Sequence, residues 1–95
     1  MDREQLAALI KVAEEFLKQG DMVSARLMLE RAANAGNAEA ALKLGMTFDQ
    51  DFLAHLGVRG VAPDTTQARA WYDRAGKLGS TEAASYLGRL ASTPK

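Results

Sequence analysis

The most constraining feature of this chain is an internal repeat. The segment from Asp21 to Gly45 recurs without a gap from Asp64 to Gly88, and eleven of the 25 aligned positions are identical. Internal similarity at a period of about 20–50 residues is typical of proteins built from stacked structural units. We therefore expect an array in which each unit covers the hydrophobic face of its neighbour.

The repeated segments have the pattern of amphipathic α-helices. Apolar residues recur every three or four positions, and no run alternates with the period of two that a strand requires. Polar residues that can cap a helix N-terminus precede five such segments: Asp2, Asp21, Asn37, Asp64 and Ser80 or Thr81. Glycines follow three of the segments, and the last is expected to fray before Pro94. The sequence predicts an all-α protein with about five helices.

Part of the chain resembles a known family, the Sel-one-like repeat, which is a relative of the tetratricopeptide repeat. The matching strings are Leu44-Gly45-x-x-Phe48, Gly60-Val61, Asp64, Ala68-x-x-Trp71-Tyr72-x-Arg74-Ala75 and the closing Gly79. Residues 6–36 look more like a plain tetratricopeptide unit. The resemblance implies an α-solenoid in a single domain, 1–95. Its parts are a helix–turn–helix unit at about 4–36, a second at about 37–79, and a capping helix at about 80–92.

The chain departs from the family pattern between Gly45 and Gly60, where the spacing is longer than usual. We interpret the segment at about 49–56 as an insertion. Its apolar residues follow Phe48 at intervals of four, so the third helix either continues through it or restarts with Asp49 or Asp51 as cap. Either these residues fold back onto the seam between units, or Phe52 and His55 form an exposed edge that recognises a partner.

The resemblance also implies a concave groove, because the first helix of each tetratricopeptide-like pair lines the inner surface. The expected groove residues, which combine an apolar floor with charged walls, are Ile10, Glu14, Lys18, Glu39, Leu42, Met46, Asp49, Gln50 and Arg89. A groove of this composition suits an extended or helical peptide. Methionine adapts its shape, so a methionine in the floor does not require strict specificity.

Composition excludes several other classes of protein. Twelve basic and twelve acidic residues give zero net charge, so we expect no nucleic-acid partner. There is no cysteine and a single histidine, His55, so we expect neither a metal site nor a cofactor. No apolar run approaches the roughly 20 residues of a membrane span, and the charged N-terminus does not resemble a signal peptide. We expect a soluble chain, whole or a fragment of a longer one, and the sequence assigns no compartment.

The expected function is that of a non-catalytic scaffold that binds a protein or peptide partner. Proteins with Sel-one-like repeats serve as adaptors in bacterial signalling, secretion and envelope systems and in eukaryotic quality control. The alternatives are a structural spacer or a dimerisation module of a larger chain, in which case the chain forms a homodimer. A weaker alternative is a hydrolase-related member of the family, since hydrolase activity has been ascribed to some cysteine-rich relatives. No residue stands out as catalytic, and we do not expect an enzyme.

Overall fold

A computed structural model describes residues 1–92, and within that range the protein contains helices and no strand. The six helices are α1 (Arg3–Lys18), α2 (Met22–Asn34), α3 (Ala38–Met46), α4 (Gln50–Leu56), α5 (Thr65–Lys77) and α6 (Ala83–Ser92). The all-α prediction is confirmed, whereas the predicted number of five helices is wrong. The additional helix is α4, which occupies the insertion. The predicted fraying before Pro94 lies outside the described residues.

The helices begin where side chains satisfy the free N–H groups of the first turn. Asp2 accepts from the backbone N–H of Gln5 at 2.8 Å, and the Gln5 side chain accepts from the N–H of Asp2 in return. The other predicted caps that bond a first-turn N–H are Asp21, Asn37 and Asp64. Each such cap typically contributes about 1 kcal/mol. These four caps mark the starts of α1, α2, α3 and α5, whereas α6 begins at Ala83, two or three residues after the predicted cap at Ser80 or Thr81.

The insertion forms a helix of its own because Asp49 caps it. The Asp49 carboxylate accepts from the N–H of Asp51 at 3.0 Å, and α4 begins at the residue between them. The helix ends at Leu56, and the Gly57 that follows has a φ of 70°, in the left-handed region that glycine adopts without strain. The N–H of Asp64 then donates to the carbonyl of Phe48 at 2.8 Å. This bond brings the chain back to the end of α3, so the start of α5 lies next to the start of α4.

The helices pack mainly in chain order, with α4 set apart from that sequence. Helix α1 packs against α2, α2 against α3, α3 against α5, and α5 against α6. Alanines with no exposed surface occupy these contacts: Ala13, Ala25, Ala32, Ala41, Ala68, Ala75 and Ala83. Small side chains allow the helix backbones to approach closely, and larger ones would overpack the contacts.

The closest of these approaches joins α3 and α5 at Gly45 and Tyr72. A Cβ added at Gly45 would lie 2.5 Å from a ring carbon of Tyr72, and the tyrosine has no exposed surface. Glycine at position 45 is therefore what allows the Tyr72 ring to lie against the α3 backbone. This contact fixes α5 against α3.

Candidate functional site

Three adjoining hollows lie along α3, and we call them together the groove. The α1 hollow, of about 690 Å³, lies between α1 and the start of α3. The middle hollow, of about 370 Å³, lies between α3 and the start of α6. The α4 hollow, of about 220 Å³, lies where α3, α4 and α6 meet. Neighbouring hollows share lining residues, since Glu39 lines both of the first two, and Met46 and Tyr86 line both of the last two.

Most of the residues that the sequence placed in the groove line these hollows. Ile10, Glu14 and Glu39 line the α1 hollow. Of the predicted groove residues, Leu42, Met46 and Arg89 line the other two hollows. Phe52 and His55, which were predicted as a possible recognition edge, line the α4 hollow as well. Ile10 and Leu42 belong to the hydrophobic core and are only 8% and 5% exposed. They therefore support the floor of the groove and offer a partner little surface.

Three of the predicted groove residues do not line it. Lys18 has a side chain that is 76% exposed, and its ammonium lies 3.8 Å from the Glu15 carboxylate. Gln50, the first residue of α4, is exposed and lines none of the three hollows. Asp49 is the clearest correction, because it is only 1% exposed and lies in the interior. The family resemblance placed Asp49 on the groove, whereas the chain turns after α3 and Asp49 caps α4.

The buried Asp49 carboxylate joins three helices. One of its oxygens caps α4, and the other, Oδ2, accepts from the Tyr72 hydroxyl at 2.6 Å and from Arg89 Nη2 at 2.9 Å. Arg89 Nε also lies 3.3 Å from a carboxylate oxygen of Asp51. A buried carboxylate is tolerated when hydrogen bonds and an opposite charge compensate for its lost hydration. This cluster thereby fixes α4 and α6 against α5, and it determines the shape of the α4 hollow.

The same cluster changes how its members titrate. Burial, together with the hydrogen bond to the negatively charged Asp49, raises the pKa of the Tyr72 hydroxyl well above its ordinary value. Burial alone would lower the pKa of Arg89, but the hydrogen bond and the charge of Asp49 outweigh it and raise that pKa. Tyr72 therefore remains a neutral donor and Arg89 remains a cation at physiological pH.

A second arginine holds the other side of the turn between α3 and α4. Arg26 of α2 donates from Nε to the Thr47 hydroxyl at 3.1 Å and from Nη2 to the Thr47 carbonyl at 2.5 Å. Its guanidinium lies 3.9 Å from the centroid of the Phe48 ring. Thr47 caps the C-terminus of α3, where a cation is favoured by the helix dipole. The turn at 47–49 is thus fixed by arginines from two different helices.

Sequence reasoning missed two residues that line the middle hollow, Lys43 and Tyr86. They occupy equivalent positions in the two copies of the repeat. Tyr86 is half-buried and meets Tyr72 edge to face, with ring centroids 5.2 Å apart. Aligning the two copies and treating position 43 and its equivalent as facing inward would have identified both.

Large apolar side chains are exposed at the N-terminus and on α1 and α2. The exposed fractions are 60% for Met1, 45% for Val12, 70% for Val23 and 59% for Leu27. Val23 and Leu27 lie one turn apart on α2, and we call these two residues the end face. Exposed apolar groups that cluster on one surface are a common mark of interaction sites.

The described residues, 1–92, show no group of three or more His, Asp or Glu side chains placed to hold a metal ion. In the same part of the chain, none of the helices combines the length and the apolar character needed to cross a membrane. Comparisons of the chain with models of known protein families, with curated proteins and with solved structures found no match. The resemblance to Sel-one-like repeats therefore rests on the motif residues alone.

Proposed function

We propose that this protein is a non-catalytic scaffold that binds a peptide segment of a partner protein in the groove. The observation that carries the proposal is the apolar surface formed by Met46, Phe52 and Tyr86, which come from three helices and line one hollow. Aromatic residues and methionine are enriched in protein–protein interfaces. Charged side chains at both ends of this surface supply the polar rim that such interfaces have.

The proposal includes the arrangement of the helices as an α-solenoid of Sel-one-like units. Two features support it. Helices α1 and α3, which open the first two units, and α6, which follows them, all line the groove. The second helix of each unit, α2 or α5, packs both on the first helix of its own unit and on the helix that follows. Helix α4 adds a wall that a regular array would lack.

The proposal is tested by selecting peptides from a random display library against the whole chain and measuring their affinity by calorimetry. Met46→Glu replaces an apolar side chain of the groove, and it should weaken binding by roughly tenfold or more, because central apolar anchors carry much of an interface's binding energy. Val23→Glu is the matched control, since it makes a similar change on the end face, outside the three hollows. Equal affinity of both variants for every selected peptide would contradict the proposal.

The alternative function, a dimerisation or spacer module, is favoured by the end face. An apolar surface of this kind can be covered by a second copy of the chain or by a neighbouring unit. Analytical ultracentrifugation of the wild type and of Val23→Glu with Leu27→Glu distinguishes the two functions. Two results together would favour the dimerisation module over the scaffold. The wild type would form a dimer that this double variant dissociates, and no selected peptide would be sensitive to Met46→Glu.

A further inference from the structure

A further hollow, of about 530 Å³, lies on a different face of α1 from the α1 hollow, and it shares no lining residue with the groove. We call it the outer hollow. Only one residue of its lining has a charged side chain, Arg31 of α2, and most of the others are apolar. The lining residues are Met1, Gln5, Ala8, Leu9, Val12 and Arg31.

The second pair of helices contains a filled counterpart of this hollow. Helix α3 packs against α5, as α1 packs against α2, and α3 also packs against α2. Arg74 of α5 is the repeat equivalent of Arg31. Arg74 Nη1 donates to Oδ1 of Asn34, the last residue of α2, at 2.9 Å. The α3–α5 pair therefore holds a neighbouring helix whose last residue binds the arginine.

Arg31 lacks both of the contacts that Arg74 makes. It is exposed, and its guanidinium makes no hydrogen bond or ion pair with any residue from 1 to 92. Arg74 also lies 5.3 Å from the centroid of the Trp71 ring, whereas the equivalent of Trp71 in the first copy of the repeat is Met28. The correspondence between the two arginines indicates that the outer hollow is the place, next to α1 and α2, that α2 itself occupies next to α3 and α5.

We propose that the outer hollow binds an amphipathic helix of a partner protein, and that the last turn of this helix carries an aspartate, glutamate or asparagine that binds Arg31. The apolar face of the partner helix lies on Ala8, Leu9 and Val12. Helix α2, which ends in Asn34, shows the kind of helix that fits such a place. This surface is separate from the groove, so the inference does not depend on the proposed function.

Charge complementarity favours a carboxylate over an amide at the end of the partner helix. The only charged side chain in the lining is a cation, and a carboxylate gains a charge-assisted hydrogen bond from it. The C-terminal end of a helix also carries partial negative charge, which a nearby arginine stabilises. Both effects orient the partner helix with its C-terminus toward Arg31.

The test selects helix-forming peptides from a display library against the whole chain and measures their affinity for variants by calorimetry. Val12→Glu places a charge on the apolar lining, and it should weaken one class of these peptides by about tenfold or more. Met46→Glu, in the groove, should leave the same class within about twofold, because the two sites share no residue. We expect peptides of this class to carry apolar residues at helical spacing and an acidic residue or asparagine near the C-terminal end.

Arg31→Glu tests the polar contact. It should weaken those peptides of the class that end in a carboxylate by about tenfold at low salt, and by less at high salt because screening shortens the range of charge interactions. Replacing the carboxylate of the peptide by lysine should restore affinity for this variant. The matched control is Arg69→Glu, which reverses an exposed arginine of α5 outside the outer hollow and should leave affinity within about twofold.

Three results would overturn the inference. The selection would yield no peptide sensitive to Val12→Glu, or such peptides would bind equally well to Arg31→Glu. The third result is a dimer of the wild-type chain that Val12→Glu dissociates in analytical ultracentrifugation, since a second copy would then occupy the outer hollow. None of these results bears on the proposed function, which depends on peptides that are sensitive to Met46→Glu.

Discussion

Arg89 of α6 donates to the buried carboxylate of Asp49 at 2.9 Å, across 40 residues of sequence. Asp49 is also the cap of α4, so the start of the inserted helix depends on a side chain from the last described helix. The same arginine reaches Asp51 in the first turn of α4. The groove wall that α4 forms is therefore coupled to the docking of α6.

Replacing Arg89 by alanine should destabilise the protein by about 1–3 kcal/mol, because Asp49 would keep its buried charge and lose the cation that compensates for it. Chemical denaturation followed by circular dichroism measures the change. Arg69→Ala removes an exposed arginine of α5 and should change the free energy of unfolding by less than about 0.5 kcal/mol. Equal stability of the two variants would show that the bond between Arg89 and Asp49 contributes nothing to folding.

How much of the fold could be predicted from the sequence depends on how far apart in sequence the interacting residues lie. The caps Asp2, Asp21, Asn37 and Asp64 act on residues three positions away, so a local pattern reveals them. The spacing left two possibilities open after Phe48: α3 could continue, or a new helix could begin. The structure has a new helix, capped by Asp49. Choosing between them would have required a reason for the chain to turn after α3, and the contacts that hold this turn come from other helices.

The candidate site shows the same limit. The family resemblance projected Glu39 and Met46 onto the groove, and both line the hollows along α3. It also placed Asp49 there, because no local feature indicates that Tyr72 and Arg89 bond to its carboxylate. The contacts of Arg26 were likewise not predictable from local sequence, because they join it to Thr47, 21 positions away.

Gly45 and Gly88 are equivalent in the repeat, but substituting them should have opposite effects. A Cβ at Gly45 would meet the Tyr72 ring at 2.5 Å, whereas one at Gly88 would meet none of the described residues within 4 Å. Gly45→Ala should therefore cost about 1–3 kcal/mol through overpacking. Gly88→Ala should stabilise α6 by up to about 1 kcal/mol, because alanine has the higher helix propensity. Thermal melting of the two variants gives the signs, and two changes of the same sign would refute this account.

Tyr72 should make the protein less stable in alkaline solution. In the unfolded chain the hydroxyl ionises near its ordinary pKa of about 10, whereas in the folded protein burial and the Asp49 carboxylate raise the pKa. Above a pH of about 10 the unfolded chain thus binds fewer protons than the folded one, and the free energy of unfolding falls by up to about 1.4 kcal/mol per pH unit.

The variant Tyr72→Phe isolates this effect. It should be less stable than the wild type at neutral pH, because Asp49 loses a hydrogen-bond donor, and its stability should fall less steeply above a pH of about 10. Urea denaturation at a series of alkaline pH values measures both slopes. Identical slopes would show that Tyr72 does not contribute to the alkaline loss of stability.

Leu42 and Met46 lie one turn apart on α3 and line the same hollow, yet the same substitution should affect them differently. Leu42 is 5% exposed and belongs to the core, so Leu42→Glu would bury a charge without a partner and should cost more than about 3 kcal/mol.

Met46 is only partly buried, and a glutamate there can turn its carboxylate into the open groove. We expect Met46→Glu to retain a cooperative unfolding transition within about 1.5 kcal/mol of the wild type. Denaturation curves of the two variants measure this difference directly. If Met46→Glu unfolded the protein as Leu42→Glu is expected to, the floor of the groove would be part of the core, and a partner could not bind there without displacing it.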